Sequence, residues 1–133
     1  MISSSSDLLA EARAAQARAY APYSGYRVGA ALEAEDGRVF TGCNVENASY
    51  SVTCCAERVA LFSGVAAGER RFRRLVVTAG GRTPYPCGAC RQALSEFAET
   101  LPVTVVGDDG TSFDFTIDGL LPHPFKFSEG RPA

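Results

Sequence analysis

The chain carries five cysteines and a single histidine, His123, in 133 residues. An odd cysteine count, behind a Ser-rich start that lacks a basic region followed by an apolar stretch, argues against a disulfide framework and for thiols used in metal binding or catalysis. The fold must then be held by a buried core, and a composition that is 46% hydrophobic and 21% charged can supply one. The length suits one compact unit, so residues 1–133 are read as a single domain. Thirteen Lys and Arg against fifteen Asp and Glu give a net charge of −2, without the positive footprint of a general nucleic-acid binder. The run Arg70-Arg-Phe-Arg-Arg74 points the other way, but such runs are usually a solvated face ahead of a strand. No apolar run reaches the ~18 residues that span a bilayer. A soluble, cytoplasmic protein acting on a small or neutral partner is expected.

Apolar periodicity supplies the elements. Leu8, Ala12, Ala15 and Ala19 place one stripe on a helix that Ser4 and Asp7 would cap, and Pro22 and Gly25 end it. Residues 26–34 and 38–44 read as a β-hairpin around a two-residue Asp36-Gly37 turn. Thr53 is a candidate N-cap for a second helix running to about Gly68. That helix is apolar nearly all round, which predicts cover on more than one side. Leu75–Ala79 reads as a strand, Cys87–Glu99 as a third helix, and Pro102–Val106 and Thr111–Thr116 as two strands joined across Asp108-Asp109-Gly110. Ile117–Leu121 adds a short helical turn. This order predicts a three-layer α-β-α fold of the α/β class, with helices on both faces of a mixed sheet of about five strands.

The chemistry concentrates in Cys55-Ala-Glu57 and Cys87-Gly-Ala-Cys90. Cys87 and Cys90 share a face at the start of a helix, and Cys55 begins another, where the helix dipole favours a thiolate. Three protein ligands around a tetrahedral zinc leave the fourth position to water, which is the arrangement of a catalytic centre. Alone, the C-x-x-C pair is equally a structural half-site or a redox pair. Zinc deaminases combine a Cys₃ or His/Cys/Cys site with a glutamate that is not a ligand and a Pro before the C-x-x-C pair. Glu57 and Pro86 supply both features here. A structural Cys₄ site using Cys43 or Cys54 stays open, although adjacent Cys54 and Cys55 cannot readily face one metal and Cys43 reads as a small hydrophobe in a strand. His123 reads as an ordinary surface or packed histidine.

Taken together, Tyr20-Ala-Pro-Tyr-Ser24, Gly42-Cys-Asn-Val-Glu-Asn-Ala-Ser-Tyr50, Cys55-Ala-Glu-Arg58, Pro86-Cys-Gly-Ala-Cys-Arg-Gln92 and Leu120-Leu-Pro122 resemble the small homotetrameric cytidine deaminases. The resemblance spans nearly the whole chain. It implies Zn²⁺ on Cys55, Cys87 and Cys90, with the pKa of bound water lowered from 15.7 toward ~7 so that hydroxide attacks C4 of the pyrimidine. It implies Glu57 as the proton shuttle between water, N3 and the departing ammonia. Three thiolates would leave the site negative, and an Arg at position 58 hydrogen-bonds ligand sulfur in this family, drawing charge away from the metal. Asn44 and Glu46 correspond to the ribose-binding pair, the backbone at Ala56 to the segment that holds the base amide, and Tyr26 to an aromatic position usually occupied by Phe. Ala48, Tyr50 and Phe125 correspond to residues that neighbouring subunits contribute, so the pocket should need the oligomer. Segment 80–85 departs from the family pattern. The implied reaction is deamination of cytidine and 2′-deoxycytidine to uridine and 2′-deoxyuridine in pyrimidine salvage. Alternatives are a same-fold deaminase of another cytosine compound such as blasticidin S, a polynucleotide editor, and a structural zinc module without turnover.

Overall fold

The small, almost wholly buried run Val28–Ala34 forms β1, the strand around which the sheet is built. The computed structural model describes residues 5–127. Within them α1 (Ser5–Gln16) precedes β1. Then come β2 (Val39–Cys43), a 3₁₀ turn at Tyr50–Val52, α2 (Ala56–Ala66), β3 (Phe72–Ala79), α3 (Gly88–Ser95), β4 (Pro102–Val106), β5 (Ser112–Thr116) and α4 (Ile117–Leu120). The strand order is β2-β1-β3-β4-β5, with β3 and β4 parallel and every other pair antiparallel. The parallel pair needs a crossover, and α3 provides it.

Successive side chains of β1 leave opposite faces of the sheet. Ala31 joins Val76 and Val106 under Leu8 and Ala12 of α1. Ala30, Leu32 and Ala34 join Leu75, Val77, Val103 and Val105 under Ala56, Ala60 and Leu61 of α2, Leu94 of α3 and Ile117 of α4. The three-layer α-β-α arrangement and the mixed five-stranded sheet are therefore as the sequence predicts.

Two glycines set how closely the layers approach. A Cβ on Gly29 would lie 2.0 Å from the carbonyl oxygen of Ala12, and one on Gly42 would lie 2.4 Å from the carbonyl oxygen of Ala56 and 2.5 Å from the amide nitrogen of Ala60. Backbone of α1 and α2 thus rests directly on the β1–β2 hairpin, from opposite sides.

Local chemistry differs from expectation at several points. The hairpin closes through three residues, Glu35-Asp36-Gly37, because Ala34 donates its N–H to the Arg38 carbonyl and Gly37 alone takes a positive φ of 93°. This is the three-residue loop with a left-handed glycine rather than a two-residue turn. Thr53 does not cap α2. Its Oγ1 accepts from the Asn47 N–H at 3.0 Å, and Cys55 occupies the N-cap position. The first helix stops at Gln16, so Ala19 of its predicted stripe is buried beyond the helix end. The proposed cap Ser4 lies outside the described residues. Along Arg70–Arg74, Arg74 and Arg73 pair with buried Glu33, Arg71 pairs with Glu35, and Arg70 donates to the carbonyls of Val65 and Glu69. Within one chain α2 packs on β1 and β2 and beside α3, and Phe62 is half exposed.

Candidate functional site

Because β2 and β3 both run antiparallel to β1, they run parallel to each other, and Cys43 and Ala79 end beside Gly29 and Val28 at one edge of the sheet. The segments leaving those two strand ends lead into α2 and α3, so two helix N-termini converge there. Cys55 is the N-cap of α2 and Cys87 the N-cap of α3, and neither side chain caps its own helix. Both sulfurs are turned instead toward Cys90, which is buried in the first turn of α3.

The three sulfurs lie within 4.8 Å of one another. Cys55 Sγ and Cys87 Sγ are 3.7 Å apart, and Cys87 Sγ and Cys90 Sγ 3.5 Å. Ligand sulfurs at about 2.3 Å from a tetrahedral zinc stand about 3.8 Å from each other, so the spacing fits that ion. Cys43, Cys54 and the exposed His123 do not join the cluster. This removes the geometric basis for a Cys₄ site among the described residues and leaves a three-ligand set with room for a fourth group. Without a cation the thiols share protons. Hydrogen bonds from Cys90, Arg58 and Cys87 pull Cys55 down to about 5, and the same bond to Cys55, with burial, pushes Cys90 far above the ordinary thiol range. A dication is what allows all three to ionise together.

Arg58, in the first turn of α2, donates from its terminal guanidinium nitrogen to Cys55 Sγ at 3.5 Å. This bond makes it a partner of the Cys55 sulfur rather than a solvated helix residue. Glu57 is 4% exposed and lies outside the sulfur cluster. Burial first, and the Cys55 thiolate in addition, push its carboxyl up to about 7. A bound cation would draw it back down.

A cavity of about 370 Å³ opens over these groups, walled by Tyr26, Asn44, Glu46, Tyr50, Ala56, Glu57, Cys55 and Cys87. Asn44 is 8% exposed; its Nδ2 donates to the Tyr26 carbonyl at 2.8 Å and its Oδ1 accepts from the Val28 N–H at 2.9 Å. It thus ties the start of β1 to the loop after β2. Glu46 accepts from the backbone N–H groups of Tyr23 and Ser24 and from the Ser24 hydroxyl, which hold its carboxyl below the usual range. Ala48 and Phe125 do not line this cavity, whereas Tyr50 lines that of its own chain while remaining largely exposed. Gln92 holds the Phe125 backbone through both its amide groups, at 3.0 Å each, with the ring turned to solvent.

Ser24, Val28, Thr53, Arg82, Pro84 and Tyr85 complete the wall, none of them named as a site residue from the sequence. The departure of segment 80–85 from the family pattern was the one signal pointing to the last three. A larger and more open depression of about 540 Å³ lies on the far side of Arg82 and Tyr85. It has no thiol and no buried acid, so the smaller cavity is where chemistry can occur.

Residues 2–106 match the family model described as the cytidine and deoxycytidylate deaminase zinc-binding region. The chain belongs to the cytidine deaminase family. A cytidine deaminase of Sporosarcina psychrophila is 48% identical over 121 residues, covering 90% of this chain and 89% of its own. The crystal structure of cytidine deaminase from Burkholderia pseudomallei superposes with a TM-score of 0.89 at 46% identity, over 92% of this chain and all of the other. The blasticidin-S deaminase of Bacillus cereus is more distant, 30% identical over 73% of this chain and 75% of its own. The family's cofactor is zinc, and the sulfur cluster of this family member has the spacing to hold it.

Proposed function

We propose that this chain is a zinc-dependent cytidine deaminase that hydrolyses cytidine and 2′-deoxycytidine to uridine and 2′-deoxyuridine with release of ammonia. The observation that carries the reading is the buried carboxyl of Glu57 beside three sulfurs at zinc spacing, on the floor of one cavity. Cys55, Cys87 and Cys90 are the metal ligands. When bound, zinc supplies Lewis-acid activation of the water that adds to C4 of the base.

Glu57 takes one proton of that water and passes it to N3, then takes the proton left on the added oxygen and delivers it to the C4 amino group, which departs as ammonia. Its seclusion from solvent keeps the proton within the site. Asn44 and Glu46 bind the sugar. Asn44 keeps one N–H and one lone pair free of its two backbone bonds, and Glu46 keeps a lone pair on Oε2 beyond the three donors it serves. Tyr26 packs beside the nucleoside, and the backbone at Ala56 holds the base amide.

Arg58 draws charge from the Cys55 thiolate and so preserves the acidity of the metal. Arg58→Ala is expected to lower kcat/KM for cytidine by about 10- to 100-fold with zinc retained. An unchanged rate would show Arg58 to be a packing residue only.

The active form is a homotetramer in which Ala48 and Phe125 of neighbouring subunits complete each pocket, which Tyr50 lines from its own chain. Support comes from the apolar surface a single chain leaves open, at Tyr50, Val52, Phe62, Phe125 and Phe127. The protein works in the cytoplasm, in pyrimidine salvage, without a membrane or nucleic-acid partner. Among the described residues no helix is long and apolar enough to cross a membrane. The zinc-loaded protein is expected to convert cytidine to uridine, followed by absorbance, and to turn over blasticidin S far more slowly in a parallel assay. No cytidine turnover, or faster turnover of blasticidin S, would refute the assignment.

A further inference from the structure

Tyr26 and Arg82, 56 residues apart, meet in the wall of the cavity through two contacts. The Tyr26 hydroxyl donates to the Arg82 carbonyl at 2.9 Å, and the Arg82 guanidinium lies over the Tyr26 ring, 4.8 Å from its centroid. Both residues line the cavity, as do Pro84 and Tyr85 further along the same segment. The segment has few other anchors: Gly80 donates to the Arg27 carbonyl, and Tyr85 donates to the nearby Thr83 carbonyl and packs on Phe113 and Phe115. Gly81 takes a φ of 94°, the left-handed region that lets the chain turn sharply just before Arg82.

We infer that Arg82 is a positioning residue for substrate: with Tyr26 it forms a clasp that fixes the aromatic wall and draws segment 80–85 over the cavity, setting how tightly a nucleoside is held. The inference rests on the cavity being the nucleoside pocket. One contact uses the Arg82 backbone carbonyl and the other its side chain over the ring, so a different variant removes each. Tyr26→Phe removes the hydrogen bond and keeps the ring beneath the cation. Arg82→Ala removes the cation and leaves the carbonyl. A contact that holds the pocket wall stabilises the bound ground state and transition state alike, so its loss belongs in KM and not in kcat.

Two measurements decide the matter. The first needs no activity: trypsin cleaves after Arg82, whose carbonyl Tyr26 holds. Cleavage at Arg82-Thr83 in Tyr26→Phe is expected to be at least threefold faster than in wild type, with cleavage after Lys126 unchanged as the internal control. The second is kinetic: Arg82→Ala is expected to raise KM for cytidine about three- to tenfold, with kcat within twofold of wild type. Equal cleavage rates in Tyr26→Phe and wild type would overturn the clasp. An unchanged KM in Arg82→Ala would overturn the positioning role even if cleavage were faster, and so would a fall in kcat at constant KM. A wild-type protein that loads zinc but does not deaminate cytidine would refute the functional reading, and with it the positioning of a nucleoside, while the proteolysis would still report on the clasp itself.

Discussion

Replacing Glu57 by Gln is expected to lower kcat for cytidine by about 10³-fold or more while zinc content, fold and assembly stay as in wild type. The carboxyl sits beside the sulfur cluster without joining it, so the amide, of equal size, does not disturb the metal. What is lost is the group that accepts, carries and returns the proton. Because one residue serves several proton transfers, no other side chain in the cavity substitutes for it. The same variant carries an opposite stability effect in the zinc-free protein. The folded-state pKa of Glu57 is raised from 4.5 to about 7, so the native state binds its proton more tightly than the unfolded chain does. Its contribution is therefore neutral below pH 4.5, grows increasingly unfavourable as pH rises toward 7, and stays unfavourable above. Zinc-free Glu57→Gln should melt above zinc-free wild type at pH 8, with the gap narrowing toward pH 4.5. Retained turnover, or a gap that widens on acidification, would be inconsistent with a buried proton-carrying carboxyl.

Gly42→Ala is expected to damage the protein and its metal site together. The added Cβ would stand 2.4 Å and 2.5 Å from backbone atoms of α2, neither of which can rotate away. Overpacking of this kind costs about 3 kcal/mol, which for a domain of this size lowers Tm by about 10 °C. If α2 relieves the clash by lifting from the sheet, Cys55 and Glu57 at its start move relative to Cys87 and Cys90. The molecules that still fold should therefore bind zinc more weakly. Gly29→Ala provides the comparison, because its clash is with Ala12 in α1, on the opposite face from the sulfurs. It should cost comparable stability while the folded fraction keeps its zinc affinity. Equal zinc affinities in the two variants would mean that Gly42 does not position the site.

What could be read from the residues divides by the range of the interactions involved. Cys87 and Cys90 are three apart at a helix start, so their shared face follows from local geometry, and the buried stripe Leu8, Ala12 and Ala15 of α1 follows from period alone. That Cys55 joins them depends on β2 and β3 leaving the same edge of the sheet, which no local pattern encodes. The motif resemblance supplied that information instead. Thr53 has the preferred chemistry of an N-cap, yet its hydroxyl is spent on Asn47 and a cysteine takes the cap, so a tertiary requirement overrode a local preference. Asp36-Gly37 marked the hairpin correctly, but only Gly37 takes a positive φ, and the loop has three residues as a result. Ser24, Arg82 and Tyr85 were not found because each reaches the cavity from a loop whose path is set by contacts distant in sequence.

The central claim is an open zinc site on three cysteines, and X-ray absorption at the zinc edge of the purified protein tests it most directly. The expected result is three sulfur neighbours at about 2.3 Å and one lighter neighbour in the fourth position. Four sulfurs at that distance would mean that Cys43 or Cys54 closes the site, and would contradict the account.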